Sequence, residues 1–404
     1  MAEILFVHRH GPGQFVHLAA HLAQQGHGVT LLSETTDREV PGVRVITHRP
    51  AGRNAGRTAV DYQVQVATRA AEAMERMKRQ GEVPDVIYGH VGWGSLLFAR
   101  DIFPSTPMVG YCEFYYRPKG ADVGFDPAQP VTIDDVIRLK VRNFAQVSTM
   151  LGIEAGVSPT KWQRTGYPEA IARRIAVIHE GIDTAFCCPD ETARFTLPDG
   201  RVVRRGDRVV TFAARDLEPY RGFPQFMRAA ALLARRDPKV TFVVAGGDGA
   251  SYGALPENGR SWREVMLAET GIDPKRIHFV GTLAHRDLIR LFQVSAAHVY
   301  LTYPFVLSWS MLEAMASGAL LIGSDTPPVR EFLSHGRNGL MVPFFDTEAL
   351  AETIAEALRE ESALQPLRAA ARQTILNRAA LAECLKLQAG LVGRMISDEA
   401  MAPA

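Results

Sequence analysis

The sequence is poor in cysteine and lacks a strong excess of either charge. Its 404 residues contain four cysteines, Cys112, Cys187, Cys188 and Cys384, with no CxxC pair. A disulfide framework or a structural zinc site is therefore not expected, and reduced thiols fit better. Lys and Arg number 45 against 44 Asp and Glu. This balance disfavours nucleic acid as the main partner, so any anion site must be built locally.

Long apolar runs are also missing. No uncharged stretch approaches the roughly 18 apolar residues of a membrane-spanning helix. The N-terminus, MAEILFVHRH, has no basic segment followed by a long apolar one, as a secretory signal would. We therefore expect a cytoplasmic protein, with a loose peripheral contact at the inner face of the membrane left open.

What the sequence does contain is a repeated alternation of short β-type runs and segments of helical periodicity. A first strand at residues 4–8 leads through a Gly-Pro-Gly turn into a helix that stops at Gly26, and a second strand follows at 29–32. This βαβ opening implies a parallel sheet with crossover helices. The pattern pauses between 186 and 207 and restarts with a strand at 209–213, which predicts a second α/β domain.

The remaining elements are predicted from the same periodicities. Further strands are expected at 43–47, 85–88, 108–111, 155–157, 175–178, 241–245, 277–280, 298–302 and 320–324. Helices are expected at 60–79, 94–101, 133–150, 223–236, 286–294, 310–317 and over nearly all of the chain after Asp346.

The predicted fold class is α/β, with two Rossmann-like doubly wound domains facing across a cleft. We place the N-terminal domain at 1–190, a linker or hairpin at 191–208, the C-terminal domain at 209–375, and a C-terminal helix that returns to the N-terminal domain at 376–404. Ligands of open α/β sheets bind beyond the carboxyl ends of the strands. Two such edges would make a natural site for two substrates.

The segment TFAARDLEPYRGF carries two arginines, Arg215 and Arg221, just after a predicted strand. Two guanidinium groups there could hold a diphosphate in bidentate contacts and stabilise the charge of a leaving group. The alternative is a pair of solvated surface arginines.

A second segment, from Tyr303 to Leu333, places a helix start near Ser308 or Ser310. Free amides and the helix dipole suit a phosphate there. Glu313, one turn further on, could bind both hydroxyls of a ribose. The alternative is a surface or capping residue.

The first turn, His10-Gly11-Pro12-Gly13, permits close backbone approach to a ligand. It is not a dinucleotide fingerprint, because Val16 occupies the third glycine position. Glu34, after the second strand, is the one feature that favours a nicotinamide cofactor.

Four histidines near the N-terminus, His8, His10, His17 and His21, suggest a metal site at first sight. Leu18 stands where an HExxH motif needs its glutamate, so we favour ordinary helix-surface and cleft-edge histidines and no metal. His10 is the best placed to contact a sugar or a phosphate.

The segment GYCEFYYRPKGADVGFDP surrounds Glu113 with aromatic residues, including Tyr115, and adds Asp122 and Asp126 in the loop beyond. Aromatic faces with carboxylates are typical of a carbohydrate site, and His10, Glu113, Tyr115 and Asp122 are our acceptor-side candidates. The alternative is a set of core aromatics under a loop.

Taken in order, these segments resemble the family-4 glycosyltransferases, retaining enzymes of the glycosyltransferase-B fold. The likeness covers about residues 1–375 and is most specific in LEAMASGALLIGSDTPPVREFLSHGRNGLMVPFFD. It is supported by ARDLEPYRGF, VVAGGDG, IHFVGTLAHRDLIRLF, GPGQFVHLAAHLAQQGHGV and IAVIHEGIDTAFCCP.

The resemblance implies retaining, hexosyl-type transfer from a nucleotide diphosphate sugar to a saccharide or glycoconjugate acceptor, as in bacterial polysaccharide assembly. A UDP-sugar is favoured over a GDP-sugar, with no cofactor and no metal. The donor would be held mainly by the C-terminal domain and the acceptor by the N-terminal one.

Site residues follow from the resemblance by position. The resemblance implies that Arg215 and Arg221 bind the diphosphate and act in catalysis. Glu313 would bind the ribose, and backbone amides near Leu307 and Ser308 would bind a phosphate. Gly11 and Gly13 would approach the donor from the opposite domain.

The sequence departs from the family at two points. The first glutamate of the family's Glu-x7-Glu motif is Phe305, and the family histidine expected after strand 108–111 is replaced by Cys112 and Glu113. We assign Glu113 as the stand-in with a catalytic role. These departures keep open a nucleotide-sugar-binding scaffold or weakly active member and, less strongly, an epimerase or a phosphorylase. Val16 and the C-terminal match disfavour a nicotinamide dehydrogenase.

Overall fold

The computed structural model describes residues 1–51, 58–257 and 259–397. Two compact units divide the chain. The first comprises Met1–Gly181 together with the segment from Leu381 onward, and the second comprises Ile182–Ala380.

The first unit is built on a parallel sheet. Its strands are β1 (Glu3–Val7), β2 (His10–Gly11), β3 (Gly28–Ser33), β4 (Thr35–Thr36), β5 (Val43–Thr47), β6 (Val86–His90), β7 (Met108–Tyr111), β8 (Ala155–Ser158) and β9 (Ile175–Val177). Seven of them form one sheet in the order β5-β3-β1-β6-β7-β8-β9, and β2 pairs with β4. The strands nearest the middle, β1 and β6 to β8, are almost entirely buried, as expected for a parallel sheet covered on both faces.

Helices cover this sheet and its edges. They are α1 (Val16–Gln24), α2 (Ala59–Arg79), α3 (Ala99–Ile102), α4 (Ile133–Arg142), α5 (Phe144–Leu151), α6 (Lys161–Arg164) and α7 (Glu169–Ala172). The helices α2 and α4 begin with capping boxes, in which Thr58 and Thr132 exchange hydrogen bonds with Asp61 and Asp135.

Two helix predictions in this unit are wrong in extent. The helix expected at 133–150 is divided in two at Asn143, whose side chain bonds both the N–H and the carbonyl of Tyr116 and so anchors the break to a neighbouring loop. The helix expected at 94–101 shortens to α3, because Gly94 has a φ of +92°, which ends the preceding turn instead of starting a helix.

The second unit repeats the architecture. Its strands are β10 (Arg194–Thr196), β11 (Val202–Arg204), β12 (Val209–Asp216), β13 (Thr241–Gly247), β14 (Ile277–Gly281), β15 (Ala297–Tyr300), β16 (Leu321–Ser324) and β17 (Leu340–Val342). Six form a parallel sheet in the order β14-β13-β12-β15-β16-β17. Its helices are α8 (Phe223–Arg236), α9 (Trp262–Thr270), α10 (His285–Val294), α11 (Trp309–Ala316), α12 (Pro327–Arg330), α13 (Thr347–Arg359) and α14 (Gln365–Arg378).

The predicted linker at 191–208 is part of this second unit instead of a connection between domains. It forms the antiparallel hairpin β10–β11, and Phe195, Leu197 and Val203 are buried in the core of the unit. The last helix, α15 (Leu381–Ile396), belongs to the first unit, where Leu391, Val392 and Met395 join its buried core.

Each sheet has one topological switch point, where successive strands begin to be added on the opposite side of the first strand. In the first unit β3 and β5 extend from one side of β1, and β6 lies on the other side. In the second unit β13 and β14 extend from one side of β12, and β15 lies on the other. Such switch points leave a crevice at the carboxyl ends of the strands, where ligands of open α/β sheets bind.

No helix in the described ranges combines the length and apolar character needed to cross a membrane.

A buried arginine fastens α14 to the loops below the second sheet. Arg368 is 3% exposed and donates to the carbonyls of Ser295, Ala296 and Gly318, and burial lowers its pKa to about 10. Replacing Arg368 by Met should destabilise the protein by about 2–4 kcal/mol, because three buried carbonyls lose their donors. Urea unfolding would measure this change. The exposed Arg235→Met is the control, expected within about 0.5 kcal/mol of wild type; equal stabilities of the two variants would contradict the prediction.

Candidate active site

The switch point of the second sheet encloses a buried cation. Arg221 is 8% exposed, and its Nη1 donates to the Tyr300 hydroxyl (3.1 Å), the Thr302 hydroxyl (2.8 Å) and the Val306 carbonyl (3.1 Å). All three acceptors are neutral, and among the described residues no carboxylate forms an ion pair with Arg221. Burial disfavours the charged form, but interactions with Tyr300, Tyr252 and the buried carboxylate of Glu218 raise the pKa of Arg221. The guanidinium therefore stays charged without an ion-pair contact, which suits an anionic ligand.

Arg215 lies in a different setting. It is exposed near the carboxyl end of β12, on the strand that leads to the turn carrying Arg221. The two predicted arginines therefore belong to the same sheet edge, one buried and one open to solvent.

The start of α11 lies beside the same buried arginine. Ser308 is the N-cap of this helix, and its hydroxyl accepts a hydrogen bond from the amide of Ser310. The amide of Ser308 itself donates to the Tyr300 hydroxyl at 2.9 Å, so one hydroxyl links Ser308 to Arg221. Leu307 is buried directly before the cap. The backbone amide of Ser308, which we predicted to bind a phosphate, is thus linked to Arg221 through one hydroxyl. In the structure this amide donates its hydrogen bond to Tyr300.

Glu313 follows in α11 and is 8% exposed. Its Oε1 lies 2.8 Å from Nε2 of His285, the first residue of α10, and the ring of Phe186 lies 5.0 Å from the imidazole. Sequence reasoning missed both partners, because neither lies in a stretch with a recognisable spacing to Glu313. In the described part of the chain, Cys187, His285 and Glu313 also form the one group with three metal-ligating atoms, which lie within 4.8 Å of one another.

Phe305, where the resemblance would place a glutamate, is 5% exposed and belongs to an aromatic cluster. Its ring lies 5.0 Å from that of Tyr252 and 5.7 Å from that of Tyr220, and the Tyr252 ring lies 5.1 Å from the Arg221 guanidinium. The side chain at 305 therefore supports the ring that covers Arg221.

Two acids from the arginine segment fix the loop that carries Tyr252. Asp216 accepts hydrogen bonds from the Gly249 amide at 3.1 Å and from the Ser251 hydroxyl, and Glu218 accepts the Gly253 amide at 2.8 Å. The loop after β13 is thereby fastened to the end of β12.

In the first unit, the predicted glycines satisfy local packing. Gly11 donates its amide to Ser33 Oγ at 2.8 Å, and a Cβ at Gly11 would meet Leu31 at 2.7 Å. Gly13 has a φ of +51°, and a Cβ there would lie within 2.5 Å of the His8 ring. Neither position accommodates a larger residue without rearrangement, whether or not a ligand is bound.

Glu34 does not present a carboxylate to a ribose. It accepts a hydrogen bond from Nε of Arg9 at 2.9 Å, and the same guanidinium lies over the rings of Tyr62 and Trp93. The one feature that favoured a nicotinamide cofactor is therefore explained by an internal ion pair.

The acceptor-side candidates are not gathered as one cluster. His10 is exposed, with Nδ1 3.2 Å from the Thr35 hydroxyl. Tyr115 packs against Tyr167 at 5.3 Å, and Asp122 is buried at 5% exposure. The ring of His10 lies 5.9 Å from that of Trp93, and Glu113 lies in an extended polar network.

That network joins four side chains at the carboxyl ends of β1, β6 and β7. Oε1 of Glu113 accepts a hydrogen bond from Gln14 at 2.7 Å, and Oε2 lies 3.4 Å from Nε2 of His90. Burial alone would raise the pKa of Glu113, but hydrogen bonds from His90 and Gln14 and the nearby His8 hold it below its usual value. Glu113 is therefore an anion at neutral pH and a weak base. Sequence reasoning expected a histidine after β7 and missed His90, which ends the adjacent strand.

Comparison with known proteins identifies the family. A model described as glycosyl transferase family 4 group matches residues 25–187, and one described as glycosyl transferases group 1 matches residues 199–374. This chain belongs to the glycosyltransferases that these two models describe. The prediction made from its motifs is confirmed.

Relatives and solved structures agree with this membership. The D-inositol 3-phosphate glycosyltransferase of Corynebacterium efficiens is 24% identical over 358 residues, covering 84% of this chain and 80% of that protein. The glycogen synthase of Mycobacterium tuberculosis is 25% identical over 388 residues, covering 90% and 86%.

Among solved structures, HepE of Anabaena in complex with UDP has a TM-score of 0.70 at 16% identity, covering 97% of this chain and 99% of that one. The sucrose-phosphate synthase of Thermosynechococcus elongatus has a TM-score of 0.75 at 15% identity, covering 98% and 100%. These similarities confirm the predicted glycosyltransferase-B fold.

Proposed function

We propose that this glycosyltransferase moves a sugar from a nucleotide diphosphate donor to a saccharide or glycoconjugate acceptor with retention, and that its second unit holds the donor. The observation that carries the proposal is the buried guanidinium of Arg221, whose hydrogen-bond partners in the described chain are all neutral. A diphosphate would supply the missing negative charge.

The chemistry needs no protein nucleophile. The bond between the anomeric carbon and the donor phosphate breaks, and the leaving diphosphate takes the electron pair. The acceptor hydroxyl bonds to the same face of that carbon and gives its proton to the leaving phosphate. Arg215 and Arg221 would stabilise the charge that develops there, and Glu313 would position the nucleotide through its ribose.

We favour uridine as the base. HepE of Anabaena, which shares this fold, has been solved with UDP, with UDP and glucose, and with UDP-glucose. Assembly of a bacterial polysaccharide or glycoconjugate is the setting we propose.

A nucleotide-sugar-binding scaffold is the second candidate, and Phe305 is the observation that favours it. A phenyl ring cannot accept the hydrogen bonds of a donor-sugar hydroxyl as a carboxylate does. The scaffold predicts UDP binding without sugar release. Release of UDP from UDP-glucose would therefore exclude it, and recovery of an epimerised donor without acceptor would indicate an epimerase instead.

Calorimetry with UDP and with inorganic pyrophosphate tests the donor site. Arg221→Ala and Arg215→Ala should weaken binding of both ligands by roughly 10- to 100-fold, because each removes charge-assisted hydrogen bonds to phosphate. Glu313→Ala should weaken UDP alone, because pyrophosphate has no ribose. Arg235→Ala, on the exposed face of α8, is the control. Unchanged UDP affinity in both arginine variants would refute the donor-site assignment.

We propose that transfer needs no metal, since guanidinium groups and helix amides carry the diphosphate charge. Treatment with EDTA should therefore leave the transfer rate unchanged. The group formed by Cys187, His285 and Glu313 gives this measurement a specific alternative. Loss of activity on chelation, restored by Zn²⁺ in wild type but not in Cys187→Ser, would contradict the proposal.

A weak peripheral contact with the membrane is proposed from the surface of α4. Ile133 and Ile137, one turn apart, are 71% and 55% exposed, with Val131 and Phe144 also exposed. Asp134 and Asp135 begin the helix, and Arg138, Lys140 and Arg142 follow toward its end. Apolar side chains flanked by cations are typical of helices that lie on anionic lipid.

Sedimentation with vesicles of phosphatidylcholine and phosphatidylglycerol tests this contact. The double variant Ile133→Ser, Ile137→Ser should lower the bound fraction about tenfold, because it removes the apolar area available for insertion. The control is Leu387→Ser, which changes a residue 57% exposed on α15. Equal sedimentation of wild type and double variant would refute the proposal.

A further inference from the structure

Glu113 is a side chain held from several directions. Its backbone carbonyl accepts a hydrogen bond from Nε2 of Gln163 at 2.7 Å, and Gln163 is itself bonded to Thr160. Gln14 donates to one carboxylate oxygen, and His90 lies beside the other. A carboxylate fixed at its backbone and at both oxygens presents one geometry to a ligand, which is the condition for a preorganised site.

Backbone amides determine which imidazole nitrogen carries the hydrogen. Nδ1 of His90 accepts the Gly92 amide at 3.0 Å, and Nδ1 of His8 accepts the His10 amide at 3.0 Å. A neutral imidazole whose Nδ1 accepts carries its hydrogen on Nε2. His90 in its neutral form therefore directs an N–H toward Glu113. Burial, with His90 nearby, lowers the pKa of His8 to about 3, so His8 is a neutral donor near pH 7.

The cluster around the carboxylate keeps some hydrogen-bonding capacity. Nε2 of His90 lies 3.4 Å from Glu113 and His8 interacts with Gln14, whereas Nε1 of Trp93 completes no hydrogen bond within the ranges that the structure describes. His8 and His90 are 6% and 3% exposed, so both rings are held inside the protein. The Glu113 carboxylate accepts and the indole N–H donates, and together they match a hydroxyl group, which both donates and accepts. They do not match a phosphate, which an ionised Glu113 would repel.

The carboxylate can be reached from solvent. The Glu113 side chain is 27% exposed, and Gln14 and Trp93 are half-buried beside this edge of the sheet. The ring of His90 lies 5.8 Å from that of Trp93, which adds an aromatic surface to the polar groups. A polar cluster with an aromatic wall suits the polar edges and the apolar faces of a sugar ring.

We propose that Glu113 binds a sugar hydroxyl in the first unit, and that His90 and Gln14 are the positioning residues of its carboxylate. The identity of the ligand as a sugar rests on the proposed glycosyl transfer. The hydroxyl comes either from the acceptor or from the sugar of the donor, and both sources offer the same chemistry to Glu113.

Two substitutions at His90 separate positioning from mere packing. His90→Gln keeps a side-chain N–H near the place of Nε2 and therefore a donor to Glu113. His90→Asn keeps an acceptor for the Gly92 amide and loses the donor to Glu113. Glu113→Gln and Gln14→Leu complete the set, and His21→Asn, on the surface of α1, is the control. Thermal melting identifies any variant that fails to fold.

The first measurement is the direct contact between the protein and neutral sugars, by saturation-transfer NMR with methyl α-glucoside, methyl α-mannoside and myo-inositol. The second is release of UDP from UDP-glucose without acceptor. Glu113→Gln, His90→Asn and Gln14→Leu should weaken one of these two interactions by roughly 10- to 100-fold, and His90→Gln should restore most of it. Loss of the neutral-sugar contact assigns an acceptor hydroxyl, and a raised KM for UDP-glucose assigns the donor sugar.

An NMR titration that follows the carbon-13 shifts of the carboxylates measures the pKa of Glu113, which depends on the hydrogen bond from His90. Glu113 should titrate below the usual value of about 4.3 in wild type and closer to that value in His90→Asn, because the anion loses a donor. Changes under about threefold in both binding measurements for well-folded Glu113→Gln and His90→Asn would overturn the proposal. A wild-type protein that neither binds UDP nor releases it would overturn only the proposed transfer, because the neutral-sugar contact is measured without a donor.

Discussion

Parallel strands all end at one edge of their sheet, and this constraint determines where each unit of the protein can hold a ligand. Both sheets change their direction of growth once, beside β1 in the first unit and beside β12 in the second. Polar residues lie at or just after the ends of the strands at these two points: His8 and His90 in one unit, Arg215 and Thr302 in the other. The inner strands are almost entirely buried, so the edges at the two switch points are where their chain segments can present polar groups to a ligand.

The charged side chains at these two edges must be stabilised by their surroundings, and the two units do this in different ways. In the second unit a cation is buried among hydroxyls and a carbonyl, and the buried carboxylate of Glu218 helps to raise its pKa without an ion-pair contact. In the first unit an anion is held by hydrogen bonds from His90 and Gln14, which with the charge interactions of His90 and His8 lower the pKa of Glu113 against the effect of burial. The first arrangement favours an anionic ligand and the second a neutral hydroxyl, which is the pair of substrates that a glycosyl transfer requires.

The sequence was sufficient to predict the α/β class, most strands to within a residue or two, and the segments that supply Arg221 and Glu313. These features depend on local periodicity and on motifs of fixed spacing. The break at Asn143 and the pairings of Glu313 with His285 and of Glu113 with His90 could not be predicted. Each joins residues that are distant along the chain, and only the order of strands in the sheet brings them together. The hairpin at 194–204 was recognised as a hairpin, but its place in the second core depends on tertiary packing of Phe195 and its neighbours.

The replacement of a glutamate by Phe305 is easier to understand from the surroundings of Arg221 than from the loss of a sugar contact. Position 305 lies in the same aromatic cluster as the ring of Tyr252, which faces the guanidinium. The phenyl ring packs against Tyr252 and Tyr220 and contributes no charge. The positive charge of Arg221 is then left for the ligand. Arg221 therefore has no carboxylate in direct contact, which favours the diphosphate that we propose as its ligand.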